Sequence, residues 1–445
     1  MTHYLDTLSE FAATLDFAAL PASLQQQAHY VVADTFGAIA AGSAEPELQQ
    51  FAEHFAKESG PASLIGLGRK TSADCAAMVN GAAGTFLEMD EGNRFARGHP
   101  SIHVLPAALA YAEQHNATGA EFMAAIVVGY EVGARLGIAS NLRGSMHPHG
   151  TWGTVGAAAA VARLARFDAA QMREAINVAS SLTLASSKRT MLEGGLVRNL
   201  YAGVSNQMGL LALTLVQSGI GGERDGLASV FGEVVSEQFD PNQMIAELGT
   251  RWEIDRNYFK LHSCCRYNHG TLDALDRLFA KHGTPKPDEI RRIKVTSYRY
   301  AAELNDTAPR NTLAAKFSVP FAVATRIVNG TSRLSSFTWD AVRDPNVAAL
   351  AQRVEVSEDP AMTARLPLER PARVEMLFAD GRSWSEEVGT NRGDDADPYT
   401  RAELDAKFLD LTTRVWSMEK ARTIQQQLHE LSKQASLTAL TRSIQ

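Results

Sequence analysis

Residues 258–270 read Tyr258-Phe259-Lys260-Leu261-His262-Ser263-Cys264-Cys265-Arg266-Tyr267-Asn268-His269-Gly270. Cations, histidines, thiols and tyrosines crowd this run in pairs. Upstream the chain is helix after helix, rich in Ala and Gly. Downstream it soon turns to strand-like alternation. The run therefore marks a seam between two structural units, and such seams are where small-molecule sites form. A polar loop leading into a helix, with its cysteines simply packed, explains the same residues equally well.

Upstream, Pro21 stands near a helix start, a position proline tolerates. Leu24, Ala28, Val31, Val32, Thr35, Phe36 and Ile39 then recur at helical spacing up to Gly42. Residues 72–89, 104–115, 120–139 and 153–164 are expected to be helical. The last is a Gly/Ala helix behind Met146-His147-Pro148-His149, and its free amides would suit a carboxylate. Residues 199–222 carry no charge. Interrupting Asn and Gln residues favour a buried helix over a membrane span. The run Gly66-Leu67-Gly68-Arg69-Lys70-Thr71-Ser72 lacks the spacing of a phosphate loop.

Downstream, residues 290–298 alternate like a strand and 354–356 more weakly so. Residues 372–378 and 382–388 flank Asp380-Gly381, a hairpin signal. Residues 313–328 are expected to form one helix. Thr400 with Glu403 forms a capping box that opens a helical tail. The expected class is mainly α: a large all-helical domain, discontinuous in sequence, with a smaller inserted α/β domain. Residues 1–268 form the large domain and 269–398 the small one. Residues 399–445 pack back on the helices.

With 445 residues, 45% hydrophobic and 21% charged, the chain exceeds one ordinary core. A net charge of −7 excludes a global basic field that would recruit nucleic acid. Cys75, Cys264 and Cys265 are too few and too poorly spaced for a disulfide framework. Asp6 and Glu10 stand where a basic leader would be expected. Both features point to a cytoplasmic protein.

Polar clusters at 90–103, 143–151 and 258–269 interrupt the helices, and Arg198 adds a further point. They offer Asp90, Glu91, His99, His103, His147, His149, Lys260, His262 and His269 as acids and bases. Arg94, Arg97, Arg143, Arg198 and Arg266 could hold anions. This inventory suits proton transfer on a substrate with several carboxylates. His99 and His103 have the spacing of helical zinc ligands, but Pro100 breaks the helix they need. Neither Cys-x-x-Cys nor His-Glu-x-x-His occurs. No metal is expected. Lys260 and Arg266 could activate Cys264 or Cys265, but packed thiols are the better expectation. Gly-x-Ser-x-Gly and dinucleotide fingerprints are absent, so serine-hydrolase and nicotinamide chemistry have no support.

These clusters, in this order, resemble the MmgE/PrpD family. The resemblance rests on Asp90 to His99-Pro100-Ser101, on Gly129-Tyr130-Glu131-Val132, and on His147-Pro148 before Gly153. It continues through Arg198 ahead of Tyr201-Ala202-Gly203, Lys260 nine residues before His269, and Lys316-Phe317-Ser318. Gly393-Asp394 before Leu404-Asp405-Ala406-Lys407-Phe408 completes it. The family's activities include 2-methylcitrate dehydration, cis-aconitate decarboxylation and iminodisuccinate epimerisation. The resemblance implies a homodimer with a metal- and cofactor-free site between the domains. Site positions carry over to Asp90, His99, His147 and Lys260. The chain departs in having Arg198 where decarboxylase-type members have lysine, and in its Glu91-Gly92-Asn93-Arg94 loop. Phe321 falls near the site tyrosine of some members.

Length and overall character lie nearest the iminodisuccinate epimerases. The expectation is therefore a cofactor-independent epimerase. Lys260 and one of His99 or His147 would serve opposite faces of the α-carbon, with Asp90 orienting a histidine. Arg198, Arg266 and Arg94 would clamp carboxylates. A 2-methylcitrate dehydratase-like lyase is the alternative. A purely structural helical scaffold would have little reason to place so many ionisable groups in buried-looking loops.

Overall fold

Helices outnumber strands throughout the computed structural model, which describes residues 3–445. The protein is mainly α, as the periodicity of its sequence predicts. Ala22–Gly42, Ala73–Thr85, Gly119–Ala139, Trp152–Leu164 and Tyr201–Gln217 form the helical body. Their small residues set how closely they pack. A methyl group on Gly129 would lie 2.7 Å from the Gly156 carbonyl, so the backbones nearly touch where Gly119–Ala139 crosses Trp152–Leu164. Gly119–Ala139 is long and apolar enough to cross a membrane, yet 94% of its apolar window is buried inside the protein.

Two apolar cores organise the molecule. One draws on residues from Leu5 to Phe259 and again from Tyr399 to Ile444. The other draws on Cys264 to Val388, joined by Met191 from the helical body. The C-terminal helix Arg401–Thr412 lies on Ala22–Gly42. Its Lys407 donates to Asp34 at 2.5 Å and to the Met89 carbonyl at 2.7 Å. This buried contact fixes the chain just before Asp90.

The second core surrounds a four-stranded sheet ordered Ser383–Val388, Ala372–Phe378, Ile290–Ser297, Val354–Glu358. The first two pairings are antiparallel and the last is parallel. In Ala372–Phe378 every second residue is buried, the two-residue period of a strand with one covered face. Leu272, Leu275, Leu278 and Phe279 of His269–His282 face this core. The turn between the hairpin strands carries Gly381 at φ 90°, as Asp-Gly implies.

Three expected helices are redrawn. The helix expected over 72–89 stops at Thr85, and Glu88 takes a left-handed φ of 53°. The helix expected over 313–328 is two: Thr312–Lys316 and Val319–Val328. Ser318 caps the second, accepting from the Phe321 amide, and Pro320 sits in its first turn. The uncharged run becomes a 3-10 turn, Leu196–Leu200, followed by Tyr201–Gln217. That helix keeps an outer apolar edge, with Leu211 38% exposed.

Candidate active site

The seam expected from the sequence meets the first polar cluster through a short ribbon. Gly92–Asn93 pairs antiparallel with Asn257–Tyr258, laying the 88–99 loop beside Lys260. The Asn93 side chain accepts the amides of Phe95 and Ala96, closing a tight loop that returns through Gly98 to His99. The 143–151 loop is held from the other side. The His147 amide donates to the Ser186 carbonyl at 2.9 Å and the Lys188 amide to the Ser145 carbonyl at 2.8 Å.

A buried ion cluster lies where these loops converge. Lys260 is fully buried, 3.3 Å from Glu88 and 3.5 Å from Asp90. Arg198 pairs with the other oxygen of Glu88 at 2.5 Å. Asp90 reaches His99 Nδ1 at 3.0 Å. Burial opposes the Lys260 charge, but Glu88 and then Asp90 overcome it and push its pKa up. Burial likewise opposes the Asp90 charge, yet His99 and Lys260 hold its carboxyl well below the usual range. Glu88 is lowered too, against burial, by Arg198 and Lys260. Two buried carboxylates thus face two buried cations, and removing one partner would strand a buried charge.

His99 is the group this cluster orients. Its Nδ1 faces Asp90 and, at 2.6 Å, the Glu91 carbonyl. Two acceptors at Nδ1 assign the proton there. Nε2 then carries the lone pair and has no protein partner among the described residues. This is the geometry of a general base steered by a carboxylate. His147 is arranged oppositely. Its Nδ1 accepts the His149 amide at 3.0 Å and its Nε2 accepts from Arg198 Nε at 3.4 Å, so donors face both ring nitrogens. Burial, then Arg198, pushes its pKa well down. His149 is lowered in the same way, and His103, chiefly by burial, to about 4. His149 makes edge-to-face contacts with His99, His103 and His147.

These groups open on a cavity of about 60 Å³ between the two cores. Its wall includes His99, His147, His149, Glu88, Tyr258 and Tyr267. Four guanidinium side chains also line it: Arg97, Arg198, Arg266 and Arg370. Arg266 is largely committed, to Asp394 at 2.8 Å and to the carbonyls of Phe259, Asn391 and Arg392. Arg370 differs. It is 4% exposed, its Nη1 has no hydrogen-bond partner, and no carboxylate pairs with it among the described residues. Its only hydrogen bond from the guanidinium goes to the Arg94 carbonyl. A buried cation of this kind costs several kcal/mol unless an anion joins it.

Of the residues expected at a site, Asp90, His99, His147, Lys260 and Arg198 come together here. Lys260 lies beneath Glu88 and Asp90 rather than on the cavity wall. Arg266 reaches the wall with most of its donors engaged. Arg94 does not reach it and pairs instead with Asp395 at 2.8 Å and Asp394 at 3.5 Å. His262 bonds Ser332 and Asp273, outside the site. Burial pushes the Cys265 thiol up to about 11 and Cys264 higher still, so neither is an activated nucleophile. Phe321 lies in the second core beside Phe337, away from the cavity wall. Sequence reasoning missed Glu88 and Arg370. Glu88 hid inside an apparent helix. Arg370 stands among the charged residues Arg365, Glu369, Arg373 and Glu375, so nothing in the sequence set it apart.

A helical body, an α/β unit and a buried acid–base cluster facing unpaired guanidinium define an enzyme scaffold with its site at the junction. Residues 6–243 match the MmgE/PrpD N-terminal domain and residues 262–433 the MmgE/PrpD C-terminal domain. The chain belongs to the MmgE/PrpD family. It is 25% identical to a cis-aconitate decarboxylase of Aspergillus terreus, covering 86% of this chain and 84% of that one. A cis-aconitate decarboxylase-like protein of Aspergillus oryzae is 24% identical, over 97% and 95% of the two chains. The mouse cis-aconitate decarboxylase is 24% identical, over 82% and 78%.

Proposed function

We propose that the protein is a lyase acting on a tricarboxylate by proton transfer at a carbon beside a carboxylate. The observation that carries this reading is the Asp90–His99 pair on a narrow cavity that the unpartnered Arg370 also lines. Arg370 and Arg97 would hold substrate carboxylates. His99 Nε2 would take or return the proton on carbon. Arg198, set beside His147, would stabilise the enolate-like charge that develops on the neighbouring carboxylate. Lys260 would act one layer back, keeping Glu88 and Asp90 ionised so that Asp90 holds the His99 tautomer. This differs from the role of second base expected from the sequence. The cis-aconitate decarboxylases among the relatives support the lyase class.

Epimerisation of iminodisuccinate is a second reading, favoured by two observations. Two guanidinium groups on the cavity wall, Arg97 and Arg370, have no carboxylate partner among the described residues and suit an aminopolycarboxylate. Position 321, near the site tyrosine of some members, is a phenylalanine buried in the second core. Both readings share proton abstraction or return at one carbon. They part on whether a bond to a leaving group then breaks.

Proton NMR in D₂O separates them. The panel is cis-aconitate, 2-methylcitrate, citrate and the stereoisomers of iminodisuccinate. New alkene signals or release of carbon dioxide from a tricarboxylate assign the lyase. Deuterium entering the α-carbon of iminodisuccinate as one diastereomer disappears assigns the epimerase. No change across the panel would refute both.

We also infer that the chain works as a cytoplasmic homodimer. The exposed Val197 and Leu211, at 55% and 38%, lie along one edge of the Leu196–Gln217 segment and support a self-association surface. Such an edge matches the apolar character of homodimer interfaces.

A further inference from the structure

A second cavity lies on the other side of the turns that build the site. Its volume is about 620 Å³, about ten times that of the narrow catalytic cavity. Glu45 and Arg414 of the helical body line one wall; Lys316, Arg333 and Trp339 line the other. The two cavities share no lining residue but stand back to back. Leu87 faces the large one and Glu88 the catalytic one. Lys316 faces the large one, and Phe317 packs its ring under Arg198 at 5.2 Å in the catalytic one.

Lys316 is the unusual residue. It is 3% exposed, and its ammonium has neither a hydrogen bond nor an ion pair among the described residues. The backbone explains why it cannot move away. Its carbonyl accepts the Cys265 amide at 2.9 Å and the Asn268 side chain at 3.0 Å, fixing the turn. Glu45, the acid best placed to answer it, is engaged with Arg414 at 2.8 Å. Arg333, exposed at the rim, likewise has no ion-pair partner among the described residues. The hydroxyls of Thr312, Thr331, Ser335 and Thr338 line the space between.

We propose that this cavity is a second anion site, taking a small metabolite whose carboxylate or phosphate group pairs with Lys316 and Arg333. An anion at Lys316 would pair with a buried ammonium that no carboxylate contacts among the described residues. The hydroxyls then hydrogen-bond its remaining oxygens, as in charge-assisted anion recognition. Burial lowers the proton affinity of Lys316, although Glu45 and Glu88 resist this, and a bound anion would restore it. The site does not depend on which reaction the catalytic cavity performs.

Isothermal titration of the full-length protein with inorganic phosphate, and separately with citrate, tests this. Three variants accompany the wild type: Lys316→Met, Arg333→Met and the catalytic-cavity variant Arg370→Met. At least one probe should bind the wild type and Arg370→Met alike. Its affinity should fall about tenfold or more in Lys316→Met, the usual scale for a lost charged hydrogen bond. Arg333→Met changes an exposed side chain, leaves folding untouched, and should weaken the same binding severalfold. Binding of phosphate alone assigns a phosphate ester; binding of citrate alone assigns a polycarboxylate. No binding of either probe to the wild type overturns the proposal. So does binding that survives both Lys316→Met and Arg333→Met, or that is lost only in Arg370→Met.

Discussion

Arg370 and Glu91 show how single buried side chains set the chemistry here. Arg370 is enclosed by Tyr258 and Tyr267, with its guanidinium carbon 5.6 Å from each ring centre. Its aromatic surroundings keep it in place but cannot neutralise it. Arg370→Met should therefore raise KM by roughly 10- to 100-fold with a smaller change in kcat, as expected for a lost charged contact to substrate. Steady-state kinetics on the substrate found by NMR checks this; an unchanged KM would remove Arg370 from the binding set. Glu91 does a different job. Its carboxyl accepts the Ser101 amide at 2.8 Å and meets the Tyr130 hydroxyl at 3.0 Å. Burial pushes its pKa up from 4.5 to about 8. Between these values the folded chain holds a proton that the unfolded chain has released, so this group's contribution to stability falls as pH rises. Glu91→Gln cannot ionise and can keep both bonds. Chemical denaturation at about pH 5 and pH 8 should show the glutamine variant gaining on the wild type at the higher pH, by roughly 3 kcal/mol. An equal difference at both values would mean that Glu91 is ionised in the native state.

Helix contacts, and where helices stop, decide how those residues meet. The Ala73–Thr85 helix packs against Tyr201–Gln217 so closely that a methyl group on Gly203 would sit 2.3 Å from the Met78 carbonyl. Gly203→Ala should destabilise the protein by roughly 1–3 kcal/mol, read as a lower denaturant midpoint. An unchanged midpoint would show that the helices can part without loss. Patterns carried by backbone periodicity were readable in the sequence: the buried helices, the Asp380-Gly381 hairpin and the Thr400–Glu403 cap. Element ends were less readable. Leu87, Glu88 and Met89 continue to favour helix past Thr85, and only tertiary contacts impose the turn that gives Glu88 its left-handed backbone. Ser318-Val319-Pro320 did contain a start signal, a cap residue before proline, which the apolar spacing of 313–328 obscured. The histidines and Lys260 were legible because polar clusters in apolar surroundings stand out. The assignment of roles was not, because it rests on distances across the chain. Lys260 is set behind two carboxylates that lie 172 and 170 positions earlier in the sequence, at Glu88 and Asp90.

At the scale of the whole molecule, the catalytic cavity is narrow. About 60 Å³ is well below the roughly 300–1,000 Å³ of ordinary ligand clefts, so substrate entry requires the two units to part. Lys188 of the helical body pairs with Glu303 of the α/β unit beside the adjoining opening, and the Asn311 side chain donates to the Gly194 carbonyl at 2.8 Å. Glu303→Gln should loosen closure and raise KM about two- to fivefold, the scale of a partly exposed ion pair, without lowering thermal stability. An unchanged KM would show that this pair does not contribute to closure. If the Leu211 edge joins two chains, Leu211→Glu should turn a dimer into a monomer in sedimentation velocity; an unaltered sedimentation coefficient would place the interface elsewhere. The central claim is that the Asp90-steered His99 moves the proton on carbon. It is tested most directly by following solvent deuterium into substrate by NMR, comparing wild type with His99→Ala. The account predicts label at the carbon beside a carboxylate in the wild type, and a rate roughly 10²- to 10⁴-fold lower in the variant, with substrate still bound. Label entering at the wild-type rate in His99→Ala would contradict it.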